Sequence, residues 1–174
     1  MWYVVQTLKG KEEKVTAEIR EYVLEDGEEA FIMGNERMFR IRGRWIIDRK
    51  NLFPGYLFVI TEKPKEFDRR LRKKLRPLKL MEVDEVITPI YPEEEEFLKL
   101  LGGEEHIVRY SEGCRIGDKV VIESGALAGY KGEIRKLDRH NRQAVITVSF
   151  FGRETDVTLG LGIVKSVSSP MLNS

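Results

Sequence analysis

The chain has 174 residues and is poor in the groups that carry out chemistry. Cysteine occurs once, as Cys114, so there is no partner for an internal disulfide and no thiolate set for zinc. Histidine occurs twice, His106 in a polar stretch and His140 in a turn-like run, and neither has another ligand at metal-binding spacing. Both read as surface residues. Gly125, Gly129 and Gly132 have turn spacing with no Lys-Ser or Lys-Thr after them, so no phosphate-binding loop is present. Glu93 to Glu96 imitate an acid/base or metal cluster, but carboxylates in the first turn of a helix are accounted for by its dipole. No catalytic residue, metal or cofactor is expected, and the chain reads as a non-enzyme. It also lacks a signal peptide and any apolar run of the roughly eighteen residues that a membrane helix needs. A soluble, cytoplasmic monomer with no membrane contact is the expectation.

Charge is abundant but nearly balanced, with 30 Lys and Arg against 29 Asp and Glu. The balance hides segregation. Residues 37–50 hold six basic side chains and one acid, and residues 63–79 hold nine against two. Such runs are usually solvated faces, but two in one small domain raise the prospect of a polyanion nearby.

Hydrophobic periodicity divides the chain into two small domains. Residues 2–8 alternate as a half-buried strand, and residues 11–24 place Val15, Ile19, Tyr22 and Val23 on one helical stripe. A hairpin turning at Gly43 follows, with Arg40, Arg42 and Arg44 alternating and expected on one side. Residues 56–61 form a strand with Tyr56 and Phe58 on one face and Leu57 and Val59 on the other, so both faces are apolar. A basic helix from about Lys65 to Arg76 carries Phe67, Leu71 and Leu75, residues 83–88 read as one strand, and a third helix begins at Pro92 with Phe97, Leu98, Leu100 and Leu101 on its apolar side. Residues 102–112 read as a linker. Beyond them short alternating runs at 119–123, 130–137, 144–150, 153–159 and 163–164 suggest a small barrel. The fold class is therefore α+β: an N-terminal α/β sandwich over residues 1–101 with a mainly antiparallel sheet and about three helices, then a five-stranded β-barrel over 113–168 and a tail at 169–174.

Two constellations stand out, each with two readings. Trp2, Tyr3, Phe53, Tyr56 and Phe58 are either core or a partner-binding patch. The turn Asp138-Arg139-His140-Asn141-Arg142 is either a solvated hairpin tip or a group able to reach RNA phosphates and base edges.

Trp2-Tyr3-Val4-Val5, with Gly10 and Glu13-Lys14-Val15 behind it, and Phe53-Pro54-Gly55-Tyr56-Leu57-Phe58-Val59 resemble the N-terminal domain of the NusG family of transcription elongation factors. Gly117-Asp118-Lys119-Val120, the glycines at 125, 129 and 132, and Val148-Ser149-Phe150-Phe151-Gly152-Arg153 resemble that family's SH3-like KOW domain. The resemblance covers nearly the whole chain in the right order. It implies that the first domain sits on the clamp helices of RNA polymerase through Trp2, Tyr56 and Phe58 with Phe53 beside them, spans the DNA channel and suppresses pausing, while the barrel reaches a protein or RNA. The loop Ser124-Gly125-Ala126-Leu127-Ala128-Gly129 lacks the family's usual Gly-Pro-Phe, which speaks against docking to Rho or the ribosome as a housekeeping factor does. The run from Lys136 to Ala144 and the ending Val157-Thr158-Leu159-Gly160-Leu161 resemble the LoaP branch, processive antiterminators recruited by a leader-RNA hairpin. That likeness implies an RNA site among Lys131, Arg135, Lys136, Arg139, His140, Asn141, Arg142 and Arg153, with non-template DNA or RNA as candidate partners of Arg40, Arg42 and Arg44. Some specialised members hide the polymerase patch under a C-terminal domain refolded as helices. Here that segment has β-branched alternation and no 3.6-residue period, so it is expected to stay a barrel.

Overall fold

The computed structural model describes residues 1–167. The expected tail at 169–174 lies outside them. The first half runs β1 (Trp2–Gln6), α1 (Glu12–Tyr22), β2 (Glu29–Phe31), β3 (Gly34–Ile41), β4 (Arg44–Asn51), β5 (Tyr56–Ile60), α2 (Pro64–Lys74), β6 (Glu82–Val83), β7 (Val86–Ile87) and α3 (Pro92–Gly102). The second half is all strand: β8 (Ile107–Val108), β9 (Ser111–Ile116), β10 (Lys119–Ser124), β11 (Ile134–Asp138), β12 (Gln143–Phe150) and β13 (Arg153–Val167).

The strand β5 is central. It pairs antiparallel with β1 on one edge, Val4 opposite Phe58, and with β2 on the other, Phe31 opposite Phe58. Because strand side chains alternate, Leu57 and Val59 join Tyr3, Val5, Val15, Ile19, Phe67 and Leu71 in a core beneath α1 and α2. Trp2, Val4 and Phe58 face the opposite way, into a second core that includes Leu98, Leu101 and side chains of the β12–β13 region. Both faces of β5 are thus buried, one by its own helices and one in a core to which both halves of the chain contribute.

That C-terminal unit is a five-stranded sheet in the order β10-β9-β13-β12-β11. Its long last strand changes partner, running antiparallel to β12 as far as Gly160 and then parallel to β9 from Leu161. One bent strand serving two neighbours lets a small sheet curl into a barrel. The segment stays β, as its alternation suggested.

Several local expectations change. Residues 83–88 form a hairpin, β6 and β7, because Asp84 and Glu85 both take positive φ (51° and 64°). Within the expected linker, β8 lies parallel to β3 at Gly34 and Asn35, and β9 already starts at Ser111. Tyr22 and Leu100 leave the helix stripes assigned to them and are 51% and 80% exposed. The hairpin turns at Arg42-Gly43, both at positive φ (50° and 78°), which puts Arg42 in the turn itself. Arg40 then faces Trp45, while Arg44 faces Ile41 one register position away, so Arg40 and Arg44 lie on opposite faces and not on one side.

A buried carboxylate ties α1 to the turn before β5. Glu12 accepts hydrogen bonds from the backbone N–H of Gly55 at 2.6 Å and of Gly10 at 2.9 Å. Gly55 has φ of 89° and its carbonyl in turn accepts from Thr7 N–H at 2.8 Å. Replacing Glu12 by Ala leaves the buried Gly55 N–H without its acceptor and is expected to cost about 1–3 kcal/mol in urea unfolding. The exposed neighbour Glu13→Ala should stay within about 0.5 kcal/mol. Equal losses would contradict the staple.

Candidate functional site

Asn51 shapes the turn that presents the aromatic residues. Its Oδ1 accepts from Phe53 N–H at 2.9 Å, and its amide reaches the Tyr56 carbonyl at 3.3 Å. This sets Phe53 beside the outward face of β5. Phe53, Tyr56 and Phe58 then surround a ring from the second domain, Phe150 at the end of β12. Phe150 stacks on Phe53 with centroids 4.7 Å apart and planes 16° apart, meets Tyr56 edge-on at 5.3 Å, and lies 6.1 Å from Phe58. Trp2 is placed differently. Its ring contacts are Phe31 at 4.9 Å, Phe58 at 5.6 Å and His106 at 5.3 Å. Phe53 and Phe58 are buried and Tyr56 is partly so. Phe53, Tyr56 and Phe58 thus form one apolar face on which Phe150 of the barrel packs, while Trp2 is buried against first-domain rings and His106.

Glu94 fastens that cover. Its carboxylate accepts from Ser149 Oγ–H at 2.8 Å, Gly152 N–H at 2.7 Å and Phe151 N–H at 3.1 Å, all in the barrel, and also from the N–H of Tyr91, the N-cap residue of α3. The helix dipole accounts for the acids at 93–96 as a helix start, and one of them is in addition an interdomain acceptor. A second contact joins β3 to β12 and β13. Asn35 donates to the Thr158 carbonyl at 2.6 Å, Arg37 donates to Gln143, and Gly160 lies so near the Glu36 carbonyl that an added Cβ would stand 2.5 Å from it.

His106 is not a surface residue. It stacks on Phe31 with centroids 3.6 Å apart, and its Nε2 lies 3.2 Å from Glu29. Its sequence neighbours are polar, so only its long-range partners show this placement. His140 is exposed.

The barrel turn is ordered by its own residues. Asp138 accepts from Asn141 through backbone N–H at 3.0 Å and side-chain amide at 2.8 Å, and these bonds hold the Asp138 carboxyl below its usual pKa. The Asn141 amide is therefore occupied in shaping the turn. Arg139 and His140 are exposed, and Arg142, at φ of 53°, places its guanidinium 4.3 Å from the Trp45 ring centroid in the hairpin. Lys131, Lys136 and Arg153 are exposed elsewhere on the barrel, and Arg135 is turned toward Thr147 and Asp156. The structure thus brings Arg142 to the Arg40 and Trp45 strand pair and leaves Lys131 and Arg153 outside that cluster. Among the described residues no group of three or more His, Cys, Asp or Glu is arranged to hold a metal ion. No helix among them is long and apolar enough to cross a membrane.

Residues 1–101 match the protein family described as "Transcription termination factor nusG". The chain belongs to the NusG family. It is 30% identical over 172 residues to the transcription termination/antitermination protein NusG of Thermus thermophilus, covering 91% of this chain and 94% of that one. It is 28% identical over 167 residues to the protein of the same description from Bacillus subtilis, covering 91% and 93%. A solved structure described as "Domain interaction in Thermotoga maritima NusG" superposes with a TM-score of 0.50 at 26% identity, covering 91% of this chain and 92% of that one. The family consists of transcription elongation and termination/antitermination factors, and its members are not enzymes.

The closed arrangement of the domains has a direct observable. In the native chain the Phe151 and Gly152 amides are bonded to Glu94 and should exchange slowly with solvent deuterium. Gly160→Ala pushes a methyl into the β3 contact and Glu94→Ala removes the acceptor; both are expected to speed exchange at these amides by about tenfold or more. Unchanged protection in both variants would contradict the latch.

Proposed function

We propose that this NusG-family factor is a processive antiterminator that docks on RNA polymerase through the face formed by Phe53, Tyr56 and Phe58 with Trp2 behind it, and is recruited by a structured leader RNA held by its barrel. One observation carries the reading: the aromatic face of the first domain takes a ring of the second domain, Phe150, into its packing beside Phe53 and Tyr56. A surface closed by an exchangeable cover is a surface with a second partner. Docking requires the barrel to swing aside, so that polymerase groups take the place of Phe150 against Phe53 and Tyr56. Burial of such aromatic anchors suits a contact in which a few residues dominate the binding energy.

RNA binding is supported by the exposed Arg139 and by Arg142, neither of which forms an ion pair among the described residues. Lys131, Lys136, Arg153 and His140 lie on the same small barrel and would extend phosphate contacts. The loop Ser124 to Gly129, without Pro and Phe, favours RNA over the protein partners of a housekeeping factor. In the open state the hairpin with Arg40, Arg42 and Arg44 is free to approach non-template DNA.

The division of labour is tested by two variants of the full chain. Tyr56→Ala should weaken polymerase binding by about 2 kcal/mol or more while keeping RNA affinity. Arg139→Ala with Arg142→Ala should do the reverse, with a smaller salt dependence of RNA binding. Equal loss of both activities in either variant would overturn it, and a wild-type chain that binds Rho or ribosomal protein but no RNA would point to the housekeeping role.

A further inference from the structure

Six arginines, Arg37, Arg40, Arg42 and Arg44 on the hairpin and Arg139 and Arg142 on the barrel turn, form no ion pair among the described residues. By contrast, the basic helix α2 is partly neutralised, with Arg70 bound to Glu25 and Glu28 and Arg72 bound to Asp68 and Glu82. Acids on the same elements have other partners. Asp48 pairs with Lys50 at 3.0 Å, Glu36 takes Arg109 and the Tyr110 N–H, and Asp138 is held by Asn141. Even so, the fold presses the two positive elements together. Arg142 lies over Trp45, which stands opposite Arg40 in the hairpin, and Arg37 is held against Gln143 one residue farther along the barrel strand. Burial pushes the Arg37 guanidinium pKa down, because no carboxylate offsets its desolvation.

Two like-charged surfaces that pack together without counter-charge repel each other unless a polyanion lies across them. The mixture is also specific. An indole with the Arg142 plane on it and Arg40 beside it on the same face of the hairpin offers stacking for an unpaired base and donors for the neighbouring phosphates.

We propose that the β3–β4 hairpin and the barrel turn at 138–142 form a single RNA-binding surface that is complete only when the domains are closed. This rests on the RNA reading above and adds the first domain to the site. It has a thermodynamic consequence. RNA that bridges the domains favours the closed form, whereas polymerase docking on Phe53 and Tyr56 needs the open form, so each ligand weakens the other by the same factor. Leader RNA then captures the closed factor near the transcribing enzyme, and docking releases the RNA.

The test uses the full chain and an RNA hairpin selected on it from a stem-loop pool with a randomised loop, labelled with fluorescein for anisotropy. Arg40→Ala with Trp45→Ala should weaken binding by about tenfold or more and lower the salt slope, as should Arg139→Ala with Arg142→Ala. Gly160→Ala, which touches neither element's charge, should also weaken binding, with Glu94→Ala as a second opening variant and circular dichroism confirming that each is folded. Hairpin variants that bind like the wild type would confine RNA to the barrel and overturn this inference while leaving the RNA reading intact. Opened variants with unchanged or higher affinity would overturn the need for closure. Equal affinity for a DNA hairpin of the same sequence would overturn the assignment to RNA. Failure of the pool to yield any bound hairpin would overturn both readings.

Discussion

A strand that is apolar on both faces must be covered on both faces, and the architecture follows from meeting that need in β5. On one side Leu57 and Val59 are buried by α1 and α2, two helices supplied by the same domain. On the other side stand Tyr56 and Phe58, with Phe53 alongside, and the first domain brings mainly α3 to that face. The remaining area would be an aromatic surface open to water. The closed chain fills it with Phe150, and each aromatic ring buried this way contributes on the order of 1.5–3 kcal/mol. This cover is inserted from another domain and fastened by hydrogen bonds to Glu94, and the proposed docking exchanges it for a polymerase surface.

Electrostatics supplies the opposing tendency. The barrel cannot cover the aromatic face without bringing its own basic turn against the basic hairpin of the first domain. Apolar contact therefore favours closure at one end of the interface, while unneutralised arginines oppose it at the other. In the proposed function a molecule balanced in this way answers to two partners, an apolar surface at the aromatic end and a polyanion at the basic end. The near-zero net charge of +1 conceals this because the acids are spent elsewhere, at helix starts, caps and the ion pairs of α2.

What the sequence revealed depended on how local the cause was. The helices α1, α2 and α3, the two-faced character of β5, the turn near Gly43 and the β nature of the C-terminal unit all arise from spacing within a few residues, and each was legible. The aromatic set was legible as a set, but not that Phe150, nearly a hundred residues later, completes it. His106 sits among polar neighbours, and only the folded chain carries it onto Phe31. Glu94 lay in plain view as one of four acids. Its sequence context explains its place at a helix start, and nothing local distinguishes it from Glu93 or Glu95 as the group that receives the barrel. The residues joining the domains read as a linker because pairs such as Ile107-Val108 are too short to announce a strand until β3 is beside them.

The central claim is that Phe150 and a polymerase surface compete for the same aromatic face. Double electron–electron resonance measures it most directly, with spin labels at the exposed positions Leu8 and Val121, one in each domain, and Cys114 replaced by serine. The free chain should give one narrow distance distribution, and saturating RNA polymerase should replace it with a longer and broader one. Polymerase bound at saturation with the narrow distribution unchanged would contradict the account.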